Sequence, residues 1–246
     1  MPRAFALLLL PYALLAGCDV GGTLLPDAEQ RDGPFPAADR PVARIVSPRW
    51  STEEARDRQN EAAEVMGKAG IAKGMTVADI GAGEGYYTIR LAERVGADGR
   101  VLAQDIFAAT RDALAERVAR ERLDNVSVRL GEPANPKLPD NSFDRVLMVH
   151  MYHEIEQPYE FLWRMRPSLR PDGTVVVVDA DRPTANHGTP PALLKCEFAA
   201  VGYTFVSTEE MPSAGGYLAT FKVQGARPAP RAIKPCHLQS AMAYKR

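Results

Sequence analysis

The chain has 246 residues, 46% of them hydrophobic and 25% charged, with a formal net charge of −1 at pH 7. This length and composition predict one globular domain with short additions. The balanced charge argues against a nucleic-acid-binding protein, because such proteins carry an excess of basic residues.

The N-terminus has the pattern of an export signal. Arg3 is the only charged residue before Cys18, and residues 5–16 form an apolar run. Such a run is too short to span a bilayer but fits the core of a signal peptide. It ends in Leu15-Ala16-Gly17-Cys18, which resembles the bacterial lipoprotein signal. The resemblance implies removal of residues 1–17 and attachment of lipid to Cys18; a simple secretory signal and a buried helix are the alternatives.

Two further features concern the location of the protein. Asp19 follows the cysteine, and a similar aspartate retains some Gram-negative lipoproteins at the inner membrane. The resemblance therefore implies a lipoprotein anchored to the periplasmic face of the inner membrane, with a cytoplasmic protein as the alternative. Residues 18–48 are rich in glycine and proline and lack a sustained apolar period. This composition predicts a flexible tether, followed by a folded domain over residues 49–224.

The domain is expected to begin with a helix. Ser51 and Glu54 fit a capping box, and the apolar pattern that follows predicts a helix that ends at about Lys68. The charged residues 56–58 of this helix are expected to face solvent.

A strand, a glycine-rich turn and the start of a helix follow. Residues 75–80 form a short apolar run, which predicts a buried strand with Asp79 near its end. Glycine lets the backbone approach a ligand closely, and a helix start offers unpaired N–H groups. The stretch therefore predicts a ligand site, although a glycine-rich turn without a ligand has the same composition. The glycines of the turn are Gly81, Gly83 and Gly85.

The spacing of these glycines separates two classes of ligand. A dinucleotide site reads G-x-G-x-x-G, whereas here the third glycine comes one residue early and Tyr86 stands in its place. The pattern resembles the first motif of class I S-adenosylmethionine (SAM) dependent methyltransferases. The resemblance implies that the glycine loop binds the methionine part of SAM and that Asp79 helps to hold its amino end. It also implies that the preceding helix can cover the SAM pocket.

Two acids farther along the chain are candidates for the rest of the cofactor site. Asp105 ends a predicted second strand over residues 100–106, where a carboxylate can accept both ribose hydroxyls of a bound adenosine. It can equally cap the helix that is predicted to begin near Ala108. Glu132 follows a predicted third strand. The family that the sequence resembles often has aspartate at this point, near the adenine amino group, so Glu132 is assigned to the cofactor by resemblance, with a surface acid as the alternative.

The fourth strand leads to the residues that we expect near the acceptor. Residues 138–146 resemble the fourth-strand motif of the family, and the apolar strand ends at His150. Ligands of open α/β sheets bind at the carboxyl ends of strands, so His150, Tyr152 and His153 are predicted beside the methyl donor. Either histidine is a candidate base. The alternatives are that His150 closes the core and that His153 and the following glutamate cap a helix.

Tyr87, at the start of the helix after the glycine loop, is a further candidate for contact with the acceptor. No metal site is predicted, because His153-Glu154 is not part of an H-E-x-x-H pattern and no other ligands cluster nearby in the sequence.

The remaining chain completes the predicted fold. Residues 169–179 are similar to the fifth strand of the family, and two later apolar stretches predict an antiparallel finish. The resemblance implies a class I methyltransferase fold, which is an α/β Rossmann-like domain with a mostly parallel seven-stranded sheet and helices on both faces. A basic tail over residues 225–246 is expected to be disordered. Cys196 and Cys236 either form a disulfide, as export permits, or remain free thiols.

We therefore expect a SAM-dependent methyltransferase that acts on an unidentified small-molecule or envelope acceptor, with a lipid anchor as its membrane contact and no nucleic-acid partner. The sequence leaves the oligomeric state open. SAM is made in the cytosol, whereas the N-terminus predicts export. The alternative is therefore a membrane-tethered SAM- or nucleoside-binding module without transferase activity.

Overall fold

A computed structural model describes Met1, residues 33–45 and residues 52–237. The predicted signal peptide from residue 2 onward, Cys18, most of the tether, Ser51 and residues 238–246 lie outside the described residues. Within the described part of the chain, no helix is both long enough and apolar enough to cross a membrane.

The sheet has the predicted architecture. Its strands run in the order β3-β2-β1-β4-β5-β7-β6, and β7 is antiparallel to both of its neighbours. The prediction of a mostly parallel seven-stranded sheet is therefore confirmed. The strands are β1 Thr76–Ile80, β2 Arg100–Asp105, β3 Val126–Leu130, β4 Phe143–Val149, β5 Leu169–Asp179, β6 Tyr203–Met211 and β7 Gly216–Val223.

Helices cover both faces of the sheet. Successive residues of β5 alternate between two apolar clusters, with Val175 and Val177 in one and Val176 and Val178 in the other. The first cluster includes residues of α5 and α6, and the second includes residues of α2 and α3. A central parallel strand that is buried on both sides accounts for the unbroken apolar run in its sequence. The helices are α1 Glu53–Arg58, α2 Glu61–Lys68, α3 Tyr86–Val95, α4 Ala108–Arg120, α5 Pro158–Met165 and α6 Pro191–Ala200.

The predicted first helix is divided into α1 and α2. Thr52 caps α1, because its hydroxyl accepts a hydrogen bond from the backbone N–H of Ala55 at 3.2 Å. The chain then turns at Asn60, whose φ of 57° is left-handed, a conformation that asparagine tolerates better than most residues. No residue of α1 is buried. Ion pairs attach it to α3 and α4: Glu53 to Arg117 at 2.6 Å and to Arg90 at 3.2 Å, and Asp57 to Arg90.

Part of the predicted tether is packed on the domain, so the compact unit begins at Pro34 and not near residue 49. We call residues 34–45 the N-terminal strap. Arg40 pairs with Glu197 of α6 at 2.9 Å, with both side chains buried. The guanidinium of Arg40 also donates to the carbonyl of Ile155 at 3.1 Å, and Ala43 N–H donates to the carbonyl of His153 at 3.3 Å.

The first half of the predicted disordered tail is also packed on the domain. A disulfide joins Cys236 to Cys196 of α6, which settles the pairing that the sequence left open. The N–H of Cys236 donates to the hydroxyl of Tyr159 at 2.6 Å, and Trp163 Nε1 donates to the carbonyl of Pro228 at 2.8 Å. The segment up to residue 237 is thereby part of the domain.

Candidate active site

The glycine loop connects β1 to α3 at the carboxyl edge of the sheet. Gly81, Gly83 and Gly85 have φ values of 67°, 55° and 92°, a region that side chains with a Cβ rarely adopt. A Cβ on Gly85 would lie 2.4 Å from Leu114 Cδ1, and one on Gly81 would lie 3.1 Å from Met151 Cγ. Glycine is thus required by the turn itself, and the loop lies against the residues that follow β4.

Asp79 is buried near the end of β1. Its Oδ2 accepts a hydrogen bond of 2.6 Å from the hydroxyl of Thr88. Desolvation raises the pKa of this carboxyl to about 6, and the Thr88 hydrogen bond and the positive charge of Arg56 oppose that rise. A carboxylate that has lost its water favours a cationic partner, so the position suits the amino group that the family resemblance assigns to it.

Asp105 joins β2 to the glycine loop. Its two carboxylate oxygens accept hydrogen bonds from the N–H of Gly83 at 3.1 Å and the N–H of Phe107 at 3.0 Å. The position of Asp105 therefore fits both predicted roles, the ribose contact and the helix cap, because it accepts a hydrogen bond at the start of α4 and lies next to the glycine loop. A carboxylate has about four acceptor positions, so capacity for ribose hydroxyls remains.

The environment of Glu132 differs from the prediction. Its side chain is exposed and pairs with Lys137, so the carboxylate is held on the surface turn after β3. The neighbouring Gly131 leaves no room for a side chain, because a Cβ there would lie 1.8 Å from Nε2 of Gln104. That amide nitrogen is buried and has no hydrogen-bond partner among the residues that the structure describes. Gln104, which sequence reasoning did not select, is the buried donor at this edge.

Of residues 56–58, which were expected to face solvent, Asp57 and Arg58 are exposed, whereas Arg56 is partly buried in a polar cluster with α2 and α3. Arg56 binds Glu61 through two hydrogen bonds of 2.9 and 2.6 Å, and its guanidinium lies 3.7 Å from the ring centre of Tyr86. Tyr87 donates its hydroxyl to Glu61 at 2.8 Å. Tyr87 is therefore buried, and its hydroxyl is bound to α2, so its position does not favour the predicted contact with the acceptor.

The chain turns sharply after β4. His150 has a φ of 52°, and a short 3₁₀ turn from Tyr152 to Glu154 follows. This geometry directs Tyr152 into the core, where its hydroxyl donates to Glu197 at 2.7 Å. The prediction that Tyr152 contacts the acceptor is therefore wrong, because the left-handed residue reverses the face on which the next side chains lie.

His150 keeps partial access to solvent. Its side chain is 27% exposed, and Nδ1 lies 4.0 Å from the carboxylate of Asp179 at the end of β5. Burial lowers the pKa of His150, and the negative charge of Asp179 only partly opposes this effect. The imidazole is thus neutral at pH 7 and able to accept a proton.

His153 is fully buried beside the same carboxylate. Its Nδ1 lies 3.0 and 3.1 Å from the two oxygens of Asp179, and its Nε2 has no hydrogen-bond partner within residues 33–45 and 52–237. Folding also brings Glu154 and His187 next to it, and one ligand atom from each residue lies within 4.8 Å of the others. The sequence predicts no such cluster, because His187 comes from the loop after β5.

Comparisons with known proteins find similarity to methyltransferases. Residues 77–173 match the family model for a methyltransferase domain. The chain is 32% identical over 114 residues to an arsenite methyltransferase of Halobacterium salinarum, covering 45% of this chain and 28% of that protein. It is 29% identical over 121 residues to a demethylmenaquinone methyltransferase of Geobacillus sp., covering 49% of this chain and 52% of the relative.

A solved structure agrees on the fold. A SAM-dependent methyltransferase from Aquifex aeolicus superimposes with a TM-score of 0.59 and 23% identity, covering 70% of this chain and 97% of that one. The chain spans about half or less of the length of the two curated relatives. The matched segment holds the glycine loop, Asp79 and Asp105, and the strand order is that of the same fold. The domain therefore has the class I SAM-dependent methyltransferase fold, and its residues 77–173 are similar to a methyltransferase domain.

Proposed function

We propose that the domain binds SAM at the carboxyl ends of β1 and β2 and transfers its methyl group to an acceptor near the ends of β4 and β5. The observation that carries this proposal is the hydrogen bond from Gly83 N–H to Asp105, which unites the glycine loop with the acid of β2. Asp79 lies buried at the other side of the loop. SAM is the methyl donor typical of the family.

Each group has a distinct task in this proposal. The carboxylate of Asp79 pairs with the ammonium of SAM, and Asp105 accepts the ribose hydroxyls. Arg56, which acts electrostatically on Asp79, supplies the cation for the methionine carboxylate. Gln104 offers its unsatisfied amide donor to the adenine end.

The transfer itself needs little acid–base chemistry. The nucleophile of the acceptor forms a bond to the methyl carbon while the sulfonium sulfur takes the electron pair of the breaking C–S bond and becomes neutral. Holding the two reactants in line supplies most of the acceleration. A base is needed only for an acceptor that must lose a proton. His150 is the favoured base, because it is neutral and partly exposed, whereas His153 is fully buried.

The acceptor is left open in this proposal. The two named relatives act on arsenite and on demethylmenaquinone, as their names state, and these acceptors share no chemistry that would identify a third. We retain a small molecule or an envelope component as the class of acceptor.

The test is calorimetry with the chain from residue 19 onward. We expect SAM or its demethylated product to bind with a dissociation constant in the micromolar range, about −8 kcal/mol. Gly83→Val should abolish binding, because valine does not adopt the φ of 55° at this position. Gly67→Ala is the matched control, since a Cβ there has nothing within 4 Å. Absence of binding to both ligands, or equal binding of NADH, would overturn the proposal.

A second function stays open because of the proposed location. We infer that the protein is a lipoprotein that works outside the cytosol. The first 18 residues support this inference, as does the disulfide between Cys196 and Cys236, because disulfides persist in oxidising compartments. SAM is made in the cytosol, so a SAM-binding module without transfer remains the alternative. Labelled methyl transfer to envelope extracts separates the two, since the module binds SAM and transfers nothing.

Fractionation tests the location. Wild-type protein should carry labelled fatty acid and sediment with membranes, because two or more acyl chains anchor a protein stably. Cys18→Ser should remain an unlabelled precursor. A soluble, unlabelled wild-type protein that retains Met1 contradicts the lipoprotein assignment.

A further inference from the structure

Three side chains meet at the carboxyl ends of β4 and β5, next to the proposed acceptor site. They are His153, Glu154 and His187. We infer that they bind one divalent transition-metal ion, and that Zn²⁺ matches them best. The inference concerns metal binding by these residues and is independent of whether SAM binds.

The first support is the state of His153. Asp179 accepts hydrogen bonds from Ala180 N–H at 2.8 Å and from the hydroxyl of Thr189 at 2.7 Å. Because a carboxylate can only accept hydrogen bonds, Nδ1 of His153 is the donor in its contact with Asp179. In the tautomer that this contact selects, the proton is on Nδ1 and the lone pair is on Nε2. A carboxylate that orients a histidine in this way is the usual second shell of a bound metal.

The second support is the lack of a partner for that lone pair. His153 is fully buried, and its Nε2 has no hydrogen-bond partner in the described part of the chain. A buried polar atom without a partner costs free energy of about 1–3 kcal/mol. Oε1 of Glu154 lies 4.0 Å from this nitrogen, which is too far for a hydrogen bond but close enough for both atoms to bind one ion.

The third support is the way in which the loop after β5 is held. Thr189 binds Asp179 through its hydroxyl and binds the carbonyl of Ala180 through its N–H at 2.9 Å, which closes the loop. His187 lies within the closed loop at a φ of 58°. Its ring stands almost perpendicular to that of His153, with 5.5 Å between the ring centres. The same carboxylate therefore orients His153 and fixes the loop that carries His187.

The distances and the ligand types indicate the metal. The three ligand atoms lie within 4.8 Å of one another. Ligands at about 2.0–2.1 Å from a tetrahedral Zn²⁺ are separated by about 3.3 Å, so small side-chain rotations close the site. Two imidazoles and one carboxylate suit Zn²⁺ or a similar transition metal, whereas Mg²⁺ and Ca²⁺ prefer oxygen ligands.

Three protein ligands leave one coordination position open. Sites with an open position bind water or a substrate atom, whereas structural zinc sites are filled by four protein ligands. If the domain transfers a methyl group as proposed, this open position is available to an acceptor with an oxygen or sulfur nucleophile.

Metal binding is measured directly, with the untagged chain from residue 19 onward and its disulfide intact. Equilibrium dialysis against Zn²⁺, followed by elemental analysis, should give one ion per chain. Glu154→Gln and His187→Ala should each weaken Zn²⁺ binding by at least about 100-fold, since loss of a second-shell group alone typically costs 10–100-fold. Visible absorption of the Co²⁺-loaded protein should report a tetrahedral site, and both variants should lose it.

Two controls keep the result decisive. His237→Ala removes a histidine that also contacts a carboxylate, at 2.9 Å from Asp39, but is exposed and outside the cluster; it should bind Zn²⁺ as the wild type does. Thermal unfolding shows whether each variant is folded. A folded wild type that takes up no Zn²⁺ overturns the inference, and so does unchanged uptake by both cluster variants.

Discussion

The raised pKa of Asp79 predicts that its charge opposes the stability of the ligand-free protein, whereas the proposed function requires that charge for SAM binding. The replacement Asp79→Asn separates these two effects, because asparagine keeps the shape and can still accept the hydrogen bond from Thr88. The pKa of Asp79 rises from 3.8 to about 6 in the folded protein. A shift of about two units corresponds to roughly 3 kcal/mol of free energy for ionising the buried group.

The direction of the pH effect on stability follows from the linkage between protonation of Asp79 and folding. A carboxyl with a raised pKa in the folded state contributes stability while it is protonated, and that contribution is lost as the pH rises from about 4 through about 6. The Asp79→Asn variant has no carboxyl at this position, so it does not lose this stability as the pH rises. Its free energy of unfolding, minus that of the wild type, should therefore grow by about 3 kcal/mol between pH 4 and pH 8, or roughly 6–12 °C in Tm.

The same substitution should weaken SAM binding, although it raises the free energy of unfolding relative to the wild type at high pH. At pH 8 the variant should bind SAM about 10–100-fold more weakly, because a charged hydrogen bond is worth about 1.5–3 kcal/mol. Wild-type affinity should increase with pH up to about 6. Denaturant unfolding and calorimetry across this pH range measure both effects, with the exposed Asp112→Asn as control. A stability difference that is flat with pH, or unchanged SAM affinity in the variant, refutes the reasoning.

The remaining predictions concern the strap and the glycine loop. Arg40→Ala should lower the free energy of unfolding by about 3–5 kcal/mol in urea, because it leaves Glu197 buried without its cation. The exposed Arg44→Ala should change it by less than about 0.5 kcal/mol; equal effects of the two would contradict the role of the strap. Gly85→Ala should cost about 1–3 kcal/mol in thermal unfolding and weaken SAM binding, because its Cβ would lie 2.4 Å from Leu114 Cδ1 at a φ of 92°. Wild-type stability and affinity in this variant would show that the turn tolerates a side chain.

The parts of the fold that depend on neighbouring residues were predictable. The strand before the glycine loop, the loop itself and Asp105 at the end of β2 follow from apolar runs, glycine spacing and the regular alternation of strand and helix. The sheet order follows from the same alternation together with the family resemblance. Local patterns suffice here because each residue's role is set within one strand–loop–helix unit.

The parts that depend on distant partners were not predictable. Arg40 is 157 residues from Glu197, so the pairing that fixes the strap leaves no trace in a proline-rich segment that otherwise fits a tether. His187 joins His153 only through the closed loop after β5. Tyr152 was assigned to the wrong side, because a histidine with a left-handed φ is not marked in the sequence as a glycine would be.

The attachment of α1 has a kinetic consequence. This helix buries no side chain, and the ion pairs of Glu53 and Asp57 fasten it beside the glycine loop. The paired side chains are 20–48% exposed, so added ions screen their attraction in part, with a Debye length of about 30 Å at 0.01 M and about 3 Å at 1 M. A helix held by such pairs should open more often in concentrated salt than in dilute buffer. If α1 covers the SAM pocket, as the family resemblance implies, the residence time of a bound nucleoside product depends on the ionic strength of the surrounding compartment, even where the chemical step does not.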